Sequence, residues 1–435
     1  MEVNIGLVAI AGEYEVGFSE TPELLNRVAE QLGKPGHCII KTNAVMYDQA
    51  TLEKTINTFK CYEFDILCVC VGTWSEDHYL LDLLERFDKP VILWAFPAEE
   101  TGSLCGMQQI CCVLKELDKK YFHVFGNPDD QAVLKKVSEI CRAAALSSML
   151  KSVKIGTIGG RVNGMTEIAY DEFEIKACTG VRIVGINESE LSAAYDGTDE
   201  NAAAEYWNGL KSRIAKVTSS DQSGTEAVRY YFAMKRLIQN HGLEGICVKC
   251  YMDYMGKVCL GYSLLSDEGV VCGCEGDVNA TVAMKILYEL TGVPVHNTDL
   301  MYTVEPDKAM VFSHCGSDGF SIANAETYIH LGPVRLADGG VCALFPAKPG
   351  KVTLVNLVGR KGTYRMSVMV GEAVECGMIF PGNPLKVRFD TDIGEINERI
   401  CDEGIGHHWM GGYGDVSREL EYFCRLKGIR FIKIQ

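Results

Sequence analysis

"FDILCVCVGTWSEDHYLLDLLERFDKPVILWAF", residues 64–96, sets two unbroken apolar runs either side of an amphipathic stretch. Ile66–Val71 and Val91–Phe96 contain no charged or hydroxyl side chain. A strand apolar on both faces belongs in a parallel sheet covered by helices on both sides. Between the runs, "HYLLDLLERF" (78–87) spaces its leucines for one helix face, with Ser75 read as the N-cap. The stretch is one β–α–β unit. The same alternation extends both ways: "NIGLVAIAG" (4–12), "TPELLNRVAEQLG" (21–33), "HCIIK" (37–41) and "DQATLEKTINTFK" (48–60) before it, "GSLCGMQQICCVLKEL" (102–117) and "YFHVFG" (121–126) after it. Thr21 reads as the cap of the first helix, with Pro22 at its first position and Gly33 closing it. Residues 1–126 are therefore expected to form an open, doubly wound α/β domain.

A second α/β domain is expected over 127–329. It begins with the long amphipathic helix "PDDQAVLKKVSEICRAAALSSML" (128–150) and the strand "KIGTIGG" (154–160), and includes the helix "EGDVNATVAMKILYELTG" (275–292). After residue 330 the texture changes. "GGVCALFPAKPGKVTLVNLVGRKGTYRMSVMVGEAVEC" (339–376) is rich in β-branched residues, with Gly/Pro turns at short spacing. That predicts a C-terminal antiparallel β-barrel over 330–435. The expected class is thus two Rossmann-like α/β domains followed by a barrel.

The chain has 435 residues and a net charge of −16, with no Lys/Arg-rich run. A surface that tracks nucleic-acid phosphates is not expected. "MEVNIGLVAIAGEYEVGF" (1–18) lacks a basic n-region and a span-length apolar run, so neither signal peptide nor membrane span is read, and a cytoplasmic location is expected. Nineteen cysteines point to a reducing compartment and buried free thiols. "CVKC" (Cys247, Cys250) and "CGC" (Cys272, Cys274) resemble a zinc quartet on paper, but the segment between them reads as two strands, which favours buried thiols.

Chemistry concentrates between residues 275 and 409. Glu275 lies at a strand-to-helix junction between Gly273 and Gly276, with Asp277 placed to cap the helix. Asp299 follows the apolar "VPV" (293–295), and His314 follows "MVFS" (310–313). "GHHWMGG" (406–412) then brings His407 and His408 together. Carboxylates mixed with imidazoles suit a divalent ion such as Mn²⁺ better than thiophilic zinc, and leave room for substrate oxygens. Arg161 reads as a contact for a sugar hydroxyl or an anion, or as a surface ion pair. Trp409 reads as a stacking platform or as core. "GTIGGRVNG" (156–164) has glycines but not dinucleotide-fingerprint spacing.

"EGDVNATVAMKILYELTGVPV…TD" (275–299), the "FSHCG" loop (312–316), "GHHW…YGDVSRELEYFCRLKGI" (406–429) and "RVNGMTEIAYDE" (161–172) together resemble the L-fucose isomerase/L-arabinose isomerase superfamily. The resemblance implies a metal-dependent aldose–ketose isomerase working through a cis-enediol on an open-chain hexose or pentose, an anionic hexose such as sulfoquinovose included. It implies Glu275 and Asp299 as catalytic groups and metal ligands. It implies His408 as the third ligand, with His407 the alternative, and His314 as ligand or substrate donor. The ion is expected to be Mn²⁺. The resemblance also implies a closed homo-oligomer, trimer or hexamer, with sites near subunit interfaces, where Trp74 would reach a neighbour's pocket. The competing expectations are an inactive sugar-binding or regulatory protein of the same fold, and a metal-dependent hydrolase or aldolase.

Overall fold

The computed structural model describes residues Met1–Gln435, the side chains of Thr327 and Arg360 excepted. The chain divides into two compact units, Met1–Met149 with Arg418–Leu426, and Leu150–Ser417 with Lys427–Gln435.

In the first unit, strands β1 (Asn4–Ile10), β2 (Cys38–Met46), β3 (Ile66–Val71), β4 (Val91–Ala95) and β5 (Tyr121–Phe125) form one parallel sheet ordered β2-β1-β3-β4-β5. Every residue of β3 and β4 is buried, as their unbroken apolar sequence requires. Helices α1 (Thr21–Gly33), α2 (Gln49–Phe59), α3 (His78–Arg86), α4 (Ser103–Glu116) and α5 (Gln131–Met149) complete the unit. Two expected caps are corrected. Thr21 is the first helical residue behind Glu20 and bonds back to the Gly17 carbonyl. Ser75 is buried, and α3 starts only after Asp77. A long helix expected to open a second domain at 127 is α5, which packs in the first unit.

The second unit contains a parallel sheet and a barrel. Its elements are β6 (Lys154–Ile158), α6 (Glu172–Thr179), β7 (Arg182–Ile186), α7 (Glu188–Asp196), α8 (Glu200–Lys211), β8 (Lys216–Val217), α9 (Asp221–His241), β9 (Gly245–Val248), α10 (Cys259–Asp267), β10 (Val271–Gly273) and α11 (Val278–Thr291). Then come β11 (His296–Val304), β12 (Ala309–Ser313), β13 (His330–Val334), β14 (Gly339–Leu344), β15 (Gly350–Arg360), β16 (Thr363–Val374), β17 (Leu385–Arg388), α12 (Ile393–Asp402), β18 (His408–Tyr413) and β19 (Arg430–Lys433), while α13 (Ser417–Lys427) belongs to the first unit over Arg418–Leu426. The parallel sheet runs β10-β9-β6-β7. Six antiparallel strands close into a ring, β15-β18-β11-β12-β17-β16 and back to β15, with β19 added beside β16.

Parallel sheets and an antiparallel barrel are both expected and present. The barrel differs in its membership. It takes β11 and β12 from residues 296–313, while β13 and β14 form a separate small sheet with β8. "VPV" is not a strand; the strand begins at His296 and carries Asp299 in its interior. The segment between the cysteine pairs contains α10, not two strands. Cys247, Cys250, Cys272 and Cys274 are buried free thiols. Among the described residues no helix is long and apolar enough to cross a membrane.

Candidate active site

Glu275 owes its position to a turn that only glycines permit. Between β10 and α11 the backbone turns through Glu275 at φ +61° and Gly276 at φ +73°. A Cβ on Gly276 would lie 1.9 Å from the Gly160 carbonyl oxygen, and one on Gly273 would lie 1.9 Å from Thr281 Oγ1. Side chains are thus excluded on both flanks of Glu275. The left-handed conformation costs a non-glycine residue roughly 1–2 kcal/mol and persists only where neighbours enforce it. Here the Glu275 N–H lies 3.3 Å from Cys250 Sγ, and the Val162 N–H donates to the Glu275 carbonyl at 3.2 Å.

The barrel supplies the other groups through strand register. Asp299 on β11 stands directly opposite His408 on β18, and opposite Ser313 on β12 from the other side. Directly opposed residues share a face of the sheet. His314 is the next residue after β12. Adjacent antiparallel strands thus bring together residues that are 109 positions apart (299 to 408).

These groups meet the Glu275 turn. His408 Nε2 lies 3.1 Å from Glu275 Oε2 and 3.6 Å from Asp299 Oδ1. His314 Nε2 lies 4.0 Å from Glu275 Oε2 and 3.8 Å from Asp299 Oδ2, too far for hydrogen bonds. Asp277 does two jobs. One oxygen accepts the Ala280 N–H at 2.9 Å and caps α11; the other accepts from His408 Nδ1 at 2.8 Å. A pinned Nδ1–H turns Nε2 toward Glu275 and Asp299.

Charge follows from this crowding. Burial opposes a charged His408, but its bonds to Asp277 and Glu275 and the field of Asp299 outweigh burial and push its pKa up to about 10. Burial likewise opposes charge on His314, and Asp299, Cys315 and Glu275 raise it well above the ordinary value. Burial disfavours a charged Glu275, yet the three histidines hold it below the usual carboxylate range. The carboxylates therefore favour a positive charge in this cluster, which protons on the imidazoles supply here.

Ligands bound at about 2.1 Å to one ion lie roughly 3–4 Å apart. Glu275, His314 and His408 offer ligand atoms all within 4.8 Å of one another, as do Asp299, His407 and His408. Asp299 Oδ1 is buried without a hydrogen bond. A divalent cation fits this donor set, oxygen and nitrogen without sulfur, and would replace the imidazole protons.

The remaining expected residues fall into place differently. His407 is half exposed beside Asp299 and His408, with Nδ1 2.9 Å from Glu167 Oε1. Arg161 flanks the Glu275 turn, its Cα 2.8 Å from where a Gly276 Cβ would sit, and its guanidinium donates to the Val162 carbonyl. Trp409 is fully buried among the barrel's apolar residues, so its ring packs and offers no stacking face. Alternation along β18 sends His408 and Trp409 to opposite faces. Trp74 belongs to the first unit, where its indole donates to Gln109 at 2.8 Å. Asp277's hold on His408 and the approach of Glu167 to His407 are not visible in the sequence. The only signal was the position of each in a quoted motif.

By comparison with known proteins, the chain is an enzyme of the isomerase class. The relatives behind that statement are named sulfoquinovose isomerase. One from Priestia aryabhattai is 26% identical over 402 residues, covering 88% of this chain and 89% of the relative. One from Alkalicoccus urumqiensis is 25% identical, with 83% and 84% covered. One from Clostridium sp. (strain MSTE9) is 25% identical, with 93% and 92% covered. These matches support a sugar isomerase, while the fucose/arabinose superfamily rests on the motif resemblance alone. No family model matches the chain. Among solved structures, a solute-binding protein from Agrobacterium vitis bound with alpha-D-tagatopyranose matches at 11% identity, 62% and 81% coverage and a TM-score of 0.17, too low to bear on fold or ligand.

Proposed function

We propose that this isomerase interconverts an aldose and a ketose by moving protons across C1 and C2 of an open-chain anionic hexose, with sulfoquinovose as the substrate. The observation that carries the chemistry is the convergence of buried Glu275, His314 and His408 with partly exposed Asp299 in one cluster. The relatives' name carries the sugar. Glu275, Asp299 and His408 would hold a divalent ion, manganese the expected choice, with His314 completing the set or donating to a sugar hydroxyl. When bound, that ion polarises the sugar carbonyl and lowers the acidity barrier at the adjacent carbon.

Balance requires two transfers. The carbon-bound proton at C2 of the aldose must reach C1, and the hydroxyl proton on O2 must reach O1. The species between them is a cis-enediol. Glu275, as a carboxylate, is suited to take the carbon proton and return it one carbon away. Asp299 is the group proposed for the oxygen proton. Asp277 keeps His408 in one orientation throughout. An anionic substrate needs a cation clear of these carboxylates. Arg161 beside the Glu275 turn is the proposed one, because its guanidinium bonds only a backbone carbonyl among the described contacts.

The test is sugar-dependent deuterium incorporation at C2 in D₂O, with and without added Mn²⁺, over a panel containing sulfoquinovose, glucose and deoxyhexoses. Exchange confined to the sulfonated sugar and dependent on the ion is expected. Tight sugar binding without exchange would establish the inactive binding protein instead.

A further inference from the structure

The protein carries a net charge of −16, yet one corner of its first unit is positive. Lys115 near the end of α4, Lys119 and Lys120 in the following loop, and Arg425 on α13 line a hollow of about 240 Å³. Asp118 is the carboxylate in its lining. Lys136 on α5 lies outside that lining but senses one of its charges: burial and then the positive fields of Arg418 and Arg425 hold it below the usual lysine value. Burial, Lys136 and Arg425 lower His123 on β5 in the same sense. Among the described residues none of Lys115, Lys119, Lys120, Lys136 and Arg425 has an ion-pair partner. Tyr121 and Phe122 form part of the wall, and the Arg425 guanidinium lies over the Phe122 ring at 4.8 Å, which holds its position.

Cations at a helix C-terminus are ordinary, because the macrodipole favours them. That accounts for Lys115. The dipole fades within one turn, so it does not account for a cluster reaching across α4, β5, α5 and α13. Mutually repelling charges in one hollow destabilise the fold unless something neutralises them. Four cations and one carboxylate leave the lining a net +3, of which a monovalent anion would offset one. A long polyanion would be repelled by the acidic remainder of the surface.

We propose that this hollow binds a compact multivalent anion of the diphosphate type. Inorganic pyrophosphate and the diphosphate of a nucleotide share that chemistry. The site is independent of the isomerase reading.

The test is calorimetric titration of the full chain with sodium pyrophosphate, in buffer freed of divalent ions on a chelating resin so that none links it to the carboxylate–imidazole cluster. Submillimolar affinity is expected, weakening as salt rises from 50 to 200 mM because charges exposed to solvent are screened. Lys119→Ala/Lys120→Ala and Arg425→Gln should each weaken binding at least tenfold, while Glu275→Gln should leave it unchanged. Arg425→Gln keeps a polar chain over Phe122, and the lysine pair is exposed, so both variants are expected to fold. ADP is the second arm: affinity equal to pyrophosphate supports a phosphate-only site, and tighter binding supports a diphosphate site with a base against Tyr121. No heat at 5 mM pyrophosphate, or binding lost in Glu275→Gln but kept in the lysine variant, would overturn the proposal.

Discussion

Asp277→Asn separates two roles that one carboxylate plays. Asp277 has two acceptor oxygens and uses both, one on the Ala280 N–H and one on His408 Nδ1. Asparagine has one acceptor and one donor. If its oxygen keeps the cap, its NH₂ faces Nδ1 and forces the proton of a neutral His408 onto Nε2. That nitrogen then presents N–H, not a lone pair, toward Glu275 and Asp299. Asparagine caps helices about as well as aspartate, so the fold should lose less than about 1 kcal/mol. Metal affinity and turnover should fall 10- to 100-fold, the usual cost of removing a partner behind a ligating histidine. Asp277→Ala is the contrast. It loses the cap, about 1 kcal/mol, and leaves a buried Nδ1–H unpaired, about 1–3 kcal/mol, so a loss of roughly 2–4 kcal/mol is expected. The assays are Mn²⁺ titration followed by the resonance of the free ion, and denaturant unfolding. Parental Mn²⁺ affinity in Asp277→Asn would refute the orienting role. An alanine variant as stable as the parent would refute the geometry on which it rests.

Glu275→Gln should keep the fold and lower C2 proton exchange by about a thousandfold or more, read by deuterium incorporation. Gly276→Ala should destabilise by more than about 2 kcal/mol, read as a lower melting temperature, because its methyl would meet the Gly160 carbonyl in a left-handed backbone. Lys285 on α11 is buried between Glu244 at 2.8 Å and Glu289 at 2.5 Å. Burial opposes its charge, but the two carboxylates outweigh burial and raise its pKa above 10.5. A raised lysine adds stability that is complete below its unfolded value and lost as pH climbs through the folded one. Lys285→Met should therefore cost about 1–2 kcal/mol at pH 7, with the gap to the parent closing above pH ~10.5 in denaturant titrations.

Unbroken apolar runs such as Ile66–Val71 made the parallel sheets legible, since burial on both faces leaves no other reading. The side chains of the candidate cluster were legible by type, because carboxylates and imidazoles beside glycines are unusual. Their supports were not. Asp277 looks like a cap and is one, but nothing local shows that its other oxygen meets a histidine 131 residues later. β11 was hidden because "HNTD" (296–299) is polar in a strand; two of those side chains are satisfied within the unit, His296 by Asp318 and Tyr413, and Thr298 by the Trp409 carbonyl. Trp409 was ambiguous since an aromatic beside a site residue reads the same in either role. Only the pleat of β18 decides which face it takes.

Closure of the barrel by β18 also sets a timetable. During synthesis Glu275, Asp299 and His314 leave the ribosome first, and His408 follows 94 residues after His314. At about 5–20 residues per second the acidic half of the cluster waits roughly 5–20 s for its last imidazole. Throughout that interval β11 is paired on its β12 side only and lacks β18, which sets His408 opposite Asp299. On the proposed reading a nascent chain is therefore incompetent for chemistry until β18 is made, and a premature stop at residue 401 would yield a protein with its carboxylates but no His408.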